Sequence, residues 1–113
     1  MNKLSYGGDI MVYLNGLKID VSPDVMKSPG MQDLIDTLYN NACRLQMYAP
    51  YDSSLSIKLN RTDSAGYKAT LHLASPVLHI DEESEAQSPY VAAEKVFLSA
   101  RDAVSMWSLT KVV

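Results

Sequence analysis

A single cysteine, Cys43, is the chain's whole supply of thiols, and without a second it closes no internal disulfide. A disulfide-stapled secreted scaffold is excluded, and a reducing compartment is the natural setting. Histidine is nearly as scarce, with only His72 and His79, and no His-Cys cluster surrounds Cys43 in sequence, so a structural zinc site lacks a ligand set. Apolar residues never run to the roughly 18 consecutive positions that a membrane span needs. The opening MNKLSYGGDI holds one Lys and no apolar run of signal-peptide length. The expectations are therefore a cytoplasmic protein and no membrane partner. Positive charge is not in excess either: 10 Lys and Arg stand against 13 Asp and Glu, a formal net charge of −3, whereas nucleic-acid binders are commonly recognised by a basic balance. No glycine-rich phosphate loop occurs.

What remains is ordinary for one globular domain: 113 residues, 47% apolar and 20% charged. A domain of this size buries only about two-thirds of the surface its unfolded chain exposes, which leaves little room for a deep catalytic cavity and favours a binding or regulatory module. The charge deficit is local. Asp81, Glu82, Glu83 and Glu85 fall within one five-residue run, and the rest of the chain carries 10 positive against 9 negative groups.

Residues 1–9 read as a flexible lead and residues 10–113 as a single domain. Ile10, Val12 and Leu14 alternate with Met11, Tyr13 and Asn15, and Ile19 and Val21 continue the alternation beyond Gly16. This reads as one strand bent at the glycine rather than two short strands. Ser22-Pro23-Asp24 is a helix start, with the Ser side chain free to accept from first-turn amides. Ser28-Pro29-Gly30 breaks that helix, and the main one runs from about Met31 to Tyr48, with Met31, Leu34, Ile35, Leu38, Ala42 and Leu45 on one buried face. A hairpin follows, alternating through Leu55, Ile57 and Leu59 and again over residues 67–73. A third strand lies in Val77, Leu78, His79 and Ile80. The acidic run and Gln87-Ser88-Pro89 read as a solvated loop, and a last amphipathic helix covers about residues 89–109, with Val96, Ala100, Ala103, Val104 and Trp107 as its stripe. The architecture is α+β in the order β-α-β-β-β-α, a four-stranded sheet with two helices packed on one face.

Chemistry-bearing candidates are few. His72 and His79, on neighbouring strands, can face each other, but two histidines without a third ligand read as polar residues of an open sheet face. Cys43, beside an apolar helix stripe, reads as a small core residue. The acidic run lacks the spacing of a calcium loop. Neither a catalytic residue, a metal site nor a cofactor is assigned. Tyr48 and Tyr51, flanking Ala49-Pro50, can stack on bases or close the end of the core.

Several segments together resemble one family. Val12-Tyr13-Leu14-Asn15-Gly16-Leu17-Lys18-Ile19-Asp20-Val21-Ser22 is similar to its opening strand and helix cap. Ala69-Thr70-Leu71-His72-Leu73 and Val77-Leu78-His79-Ile80 are similar to its third and fourth strands. Ser88-Pro89-Tyr90-Val91-Ala92-Ala93-Glu94 resembles its Asp-x-Tyr-x-Ala-Ile-Asp passage into the last helix. The family is that of the short ribosome hibernation-promoting factors, also called ribosome-associated inhibitors or sigma-54 modulation proteins, and the likeness spans roughly residues 11–107. It implies a stress-response translation regulator, not an enzyme, that binds rRNA of the small ribosomal subunit through basic side chains. Carried over by position, those are Lys58 and Arg61 on the second strand and Lys27 and Arg44 on the first helical region, with Arg101 as a secondary contact. The last helix departs from the pattern: Ser99 and Asp102 stand where the family commonly has Lys and Arg, and the lysine-rich tail is reduced to Lys111. The alternative expectation is a module that kept the fold, lost ribosome binding, and holds a protein partner or a second copy of itself as a homodimer.

Overall fold

The computed structural model describes residues 10–14, 16–27, 30–50, 52–63 and 66–110; the lead assigned to residues 1–9 lies outside them. Strands β1 (Ile10–Leu14) and β2 (Leu17–Val21) are followed by helices α1 (Pro23–Met26) and α2 (Met31–Tyr48). Strands β3 (Ser54–Arg61), β4 (Tyr67–Ala74) and β5 (His79–Ala86) then lead into helix α3 (Pro89–Thr110). The strands form one sheet in the order β1-β2-β3-β4-β5. All neighbours are antiparallel except β2 and β3, which pair in parallel with Ile19 opposite Ile57. A parallel pair needs a long crossover, and α1 and α2 supply it.

The α+β class and the β-α-β-β-β-α order hold from β2 onward, and β2 to β5 are the expected four-stranded sheet. The opening segment differs. Rather than one bent strand it is a hairpin, with Leu14 opposite Leu17 and Gly16 at φ 83°. A left-handed glycine reverses the chain where a merely bent strand would continue, and β1 becomes an additional edge strand.

The acidic run is the second correction. It is not a loop: β5 extends through it, pairing Asp81 with His72, Glu83 with Thr70 and Glu85 with Lys68. Strand periodicity of two sends Asp81, Glu83 and Glu85 to the solvent face, while Glu82, Ser84 and Ala86 alternate with them and are half-buried. Ser84 anchors this inner side, its hydroxyl donating to the Ala92 carbonyl of α3 at 2.6 Å.

From β2 to β4 and at Ile80 of β5, one face of the sheet is apolar. Leu17, Ile19, Val21, Leu55, Ile57, Leu59, Ala69, Leu71, Leu73 and Ile80 are buried there. The helices cover them, α2 over β2 and β3, α3 over β4 and β5. From α2 come Leu34, Leu38, Ala42 and Leu45; from α3 come Ala92, Ala93, Val96, Phe97, Ala100 and Val104. These contain the stripes that the three-and-four spacing marks, joined on α3 by Ala92, Ala93 and Phe97, with Ile35, Ala103 and Trp107 half-buried at the margins, while the side chain of Met31 lies outside the described ones. The cap of α1 is made otherwise than expected. Ser22 sits at the N-cap with extended dihedrals, but its side chain makes no capping bond; the backbone closes the turn through Val25 N–H to Ser22 C=O at 3.1 Å.

Candidate nucleic-acid interface

The two faces of the molecule carry different chemistry. On the open sheet face, Lys18, Lys58, Lys68, His72, His79, Asp81, Glu83 and Glu85 alternate with the buried positions of their strands. Lys68 Nζ lies 2.8 Å from Glu83 Oε2, and that hydrogen bond holds the ammonium's pKa above the ordinary lysine value. His72 Nδ1 bonds Asp81 Oδ1. His72 and His79 share this face without being directly opposed, since their cross-strand partners are Asp81 and Ala74. Among the described residues no group of three or more His, Cys, Asp or Glu could hold a metal ion. Cys43 is half-buried against the core. Its hydrogen bond with Tyr39, one turn earlier on α2, raises the phenol's pKa.

The helix layer holds a groove of about 330 Å³ between α2 and α3. Leu45, Ala93 and Phe97 form its buried floor, and Arg44 and Arg101 stand on opposite walls. Tyr48 and Tyr90, 63% and 40% exposed, flank it. Tyr48 is therefore turned mostly to solvent and does not close the core, the alternative to a stacking role; Tyr51, paired with it in that expectation, lies outside the described residues. Tyr90 is held in place, its hydroxyl donating to the Gly30 carbonyl at 3.1 Å, which ties the start of α3 to the start of α2. Thr37, Asn41 and Glu94 add polar groups to the same walls. Neither Arg44 nor Arg101 is in a salt bridge among the described residues.

The five sequence-assigned cations thus separate. Arg44 and Arg101 line the same groove, one from α2 and one from α3. Lys27 caps the C-terminus of α1, which follows the end of β2, and Arg61 closes β3, so both occupy the sheet end where Val21 pairs with Leu59. The Arg61 guanidinium lies 5.7 Å from the Tyr67 ring centroid. Lys58 projects from the open sheet face, because a spacing of three on a strand sends Lys58 and Arg61 to opposite sides. Sequence reasoning missed Thr37, Asn41, Tyr90 and Glu94 as groove residues. A signal existed: Thr37, Asn41, Arg44 and Tyr48 on α2, like Tyr90, Glu94, Phe97 and Arg101 on α3, follow helical three-and-four spacing along one edge of each buried stripe.

No family model and no curated protein matches the chain by sequence. Solved structures match by fold. The N-terminal domain of Protein Y from Thermus thermophilus is 15% identical with a TM-score of 0.57, covering 71% of this chain and 84% of that one. A ribosomal subunit interface protein from Coxiella burnetii is 12% identical with a TM-score of 0.52, covering 82% and 97%. The chain has the fold of these two proteins.

Proposed function

We propose that the protein is a cytoplasmic, non-enzymatic ribosome-associated factor of the hibernation type, which binds rRNA of the small subunit through its helix layer. The observation that carries the reading is the groove: two arginines outside any ion pair among the described residues line it from α2 and α3 beside two exposed tyrosines, on a fold shared with a protein named for the ribosomal subunit interface. Arginine supplies charge-assisted bonds to phosphate, and tyrosine a stacking surface for unpaired bases. Lys27 and Arg61 extend the interface at the sheet end, and Lys58 contributes least because it faces the other way.

Cosedimentation with small subunits at low and raised salt tests this. The parent should sediment at low salt and be released as salt rises, and an Arg44→Glu/Arg101→Glu variant should stay at the top of the gradient. A parent that never sediments would overturn the proposal and favour a module that binds another protein or a second copy of itself.

A further inference from the structure

Glu94 sits oddly in a groove built only to grip RNA backbone, since its carboxylate would repel the phosphates that Arg44 and Arg101 attract. Like the two arginines, it has no ion pair among the described residues. We infer that the α2–α3 groove is a pocket for a single unstacked guanosine nucleotide, with Glu94 reading the base and Arg44 and Arg101 holding the phosphate.

Base-edge chemistry selects guanine. A carboxylate accepts two parallel N–H bonds when adjacent donors face it, as it does from a guanidinium. Guanine offers its ring N1–H beside the exocyclic N2 amine, whereas adenine and cytosine put a ring acceptor beside their amine, and uracil flanks one N–H with two carbonyls. The Thr37 hydroxyl, on the opposite wall, is a donor suited to guanine O6. Glu94 and Arg101 lie seven residues apart on α3, two turns or about 10 Å, the scale of one nucleotide from base edge to phosphate. The volume of about 330 Å³ is at the small end of ligand sites, and an apolar floor with a few convergent polar groups is their usual composition. Tyr90, fixed by its bond to Gly30, offers a ring that needs no ordering before a base stacks on it.

The inference rests on the groove being a nucleic-acid interface, and its test separates a free nucleotide from an unstacked RNA residue. Calorimetry of the full chain compares GDP with ADP in one arm, and single-stranded UUUGUUU with UUUAUUU in the other. Guanine should be preferred by about tenfold in at least one arm. Glu94→Gln should abolish the preference, while an Arg44→Gln/Arg101→Gln variant should weaken guanine and adenine probes alike. Equal binding of guanine and adenine in both arms, a preference that survives Glu94→Gln, or no binding of any probe at about 1 mM would overturn the assignment. Sedimentation of the same samples with small subunits keeps the two proposals apart. Ribosome binding without guanine preference would defeat only this inference, and guanine preference without ribosome binding only the ribosomal reading.

Discussion

Lys68 and the groove arginines, on opposite faces of this small sheet, are in opposite circumstances. On the open face Lys68 is paired with Glu83 and His72 bonds Asp81, so the acidic edge strand offsets the Lys68 charge on β4, while Lys58 is in no salt bridge among the described residues. On the helix face Arg44 and Arg101 stand across a groove with no ion pair among the described residues. The difference teaches that the net charge of −3 is a poor guide to partners: Asp81, Glu83 and Glu85 project from the face opposite the helices and do not confront a phosphate bound between them. Charge decides recognition by where it is placed and whether it is already paired.

The largest expected effect comes from removing the layer that holds both faces. Ile57 is fully buried on the central strand β3, and Ile57→Ala should cost about 2–5 kcal/mol in denaturant unfolding. Next is Arg44→Glu/Arg101→Glu. It should leave stability within about 0.5 kcal/mol yet abolish sedimentation with small subunits. The milder Arg44→Gln/Arg101→Gln variant should bind weakly enough to titrate, with the log-log salt slope flattened by about 0.7–0.9 for each phosphate that the protein no longer neutralises. Lys58→Glu should weaken sedimentation much less than the double glutamate variant; an equal loss would erase the distinction between the faces. The smallest effect concerns Lys68. Its pKa is raised in the fold by Glu83, so its contribution to stability is complete below the unfolded lysine pKa and fades as pH rises through the higher folded value. Thermal unfolding of the parent should therefore show a slight extra loss at strongly alkaline pH that Glu83→Gln removes.

Much of this arrangement was legible in the residues. Leu34, Leu38, Ala42 and Leu45, like Val96, Ala100 and Val104, repeat at the helical period, and the buried faces of α2 and α3 follow from that alone. The hairpin at Gly16 was legible too: Asn-Gly between alternating apolar residues is the composition of a two-residue reversal, which a bent-strand reading passes over. The acidic stretch of β5 was harder. Asp and Glu are depleted in strands, and only pairing with β4, where Lys68 and His72 meet Glu83 and Asp81, makes a charge run tolerable there.

The groove shows where single-chain reading stops. Each helix displays its own edge, Thr37-Asn41-Arg44 and Tyr90-Glu94-Arg101, but that the two edges face each other is a consequence of how both helices seat on the sheet. Lys58 and Arg61 show the converse. Their kinship in sequence dissolves once the strand's alternation is applied, and a partner reaching both must touch two sides of the sheet.

The central claim is that RNA meets the helix layer and not the open sheet. A photo-crosslinking residue in place of Leu98, which is 47% exposed on the groove wall, or in place of Thr70 on the open face of β4, tests it directly after irradiation with small subunits. rRNA adducts are expected from position 98 and none from position 70. Adducts from position 70 with none from position 98 would contradict the claim.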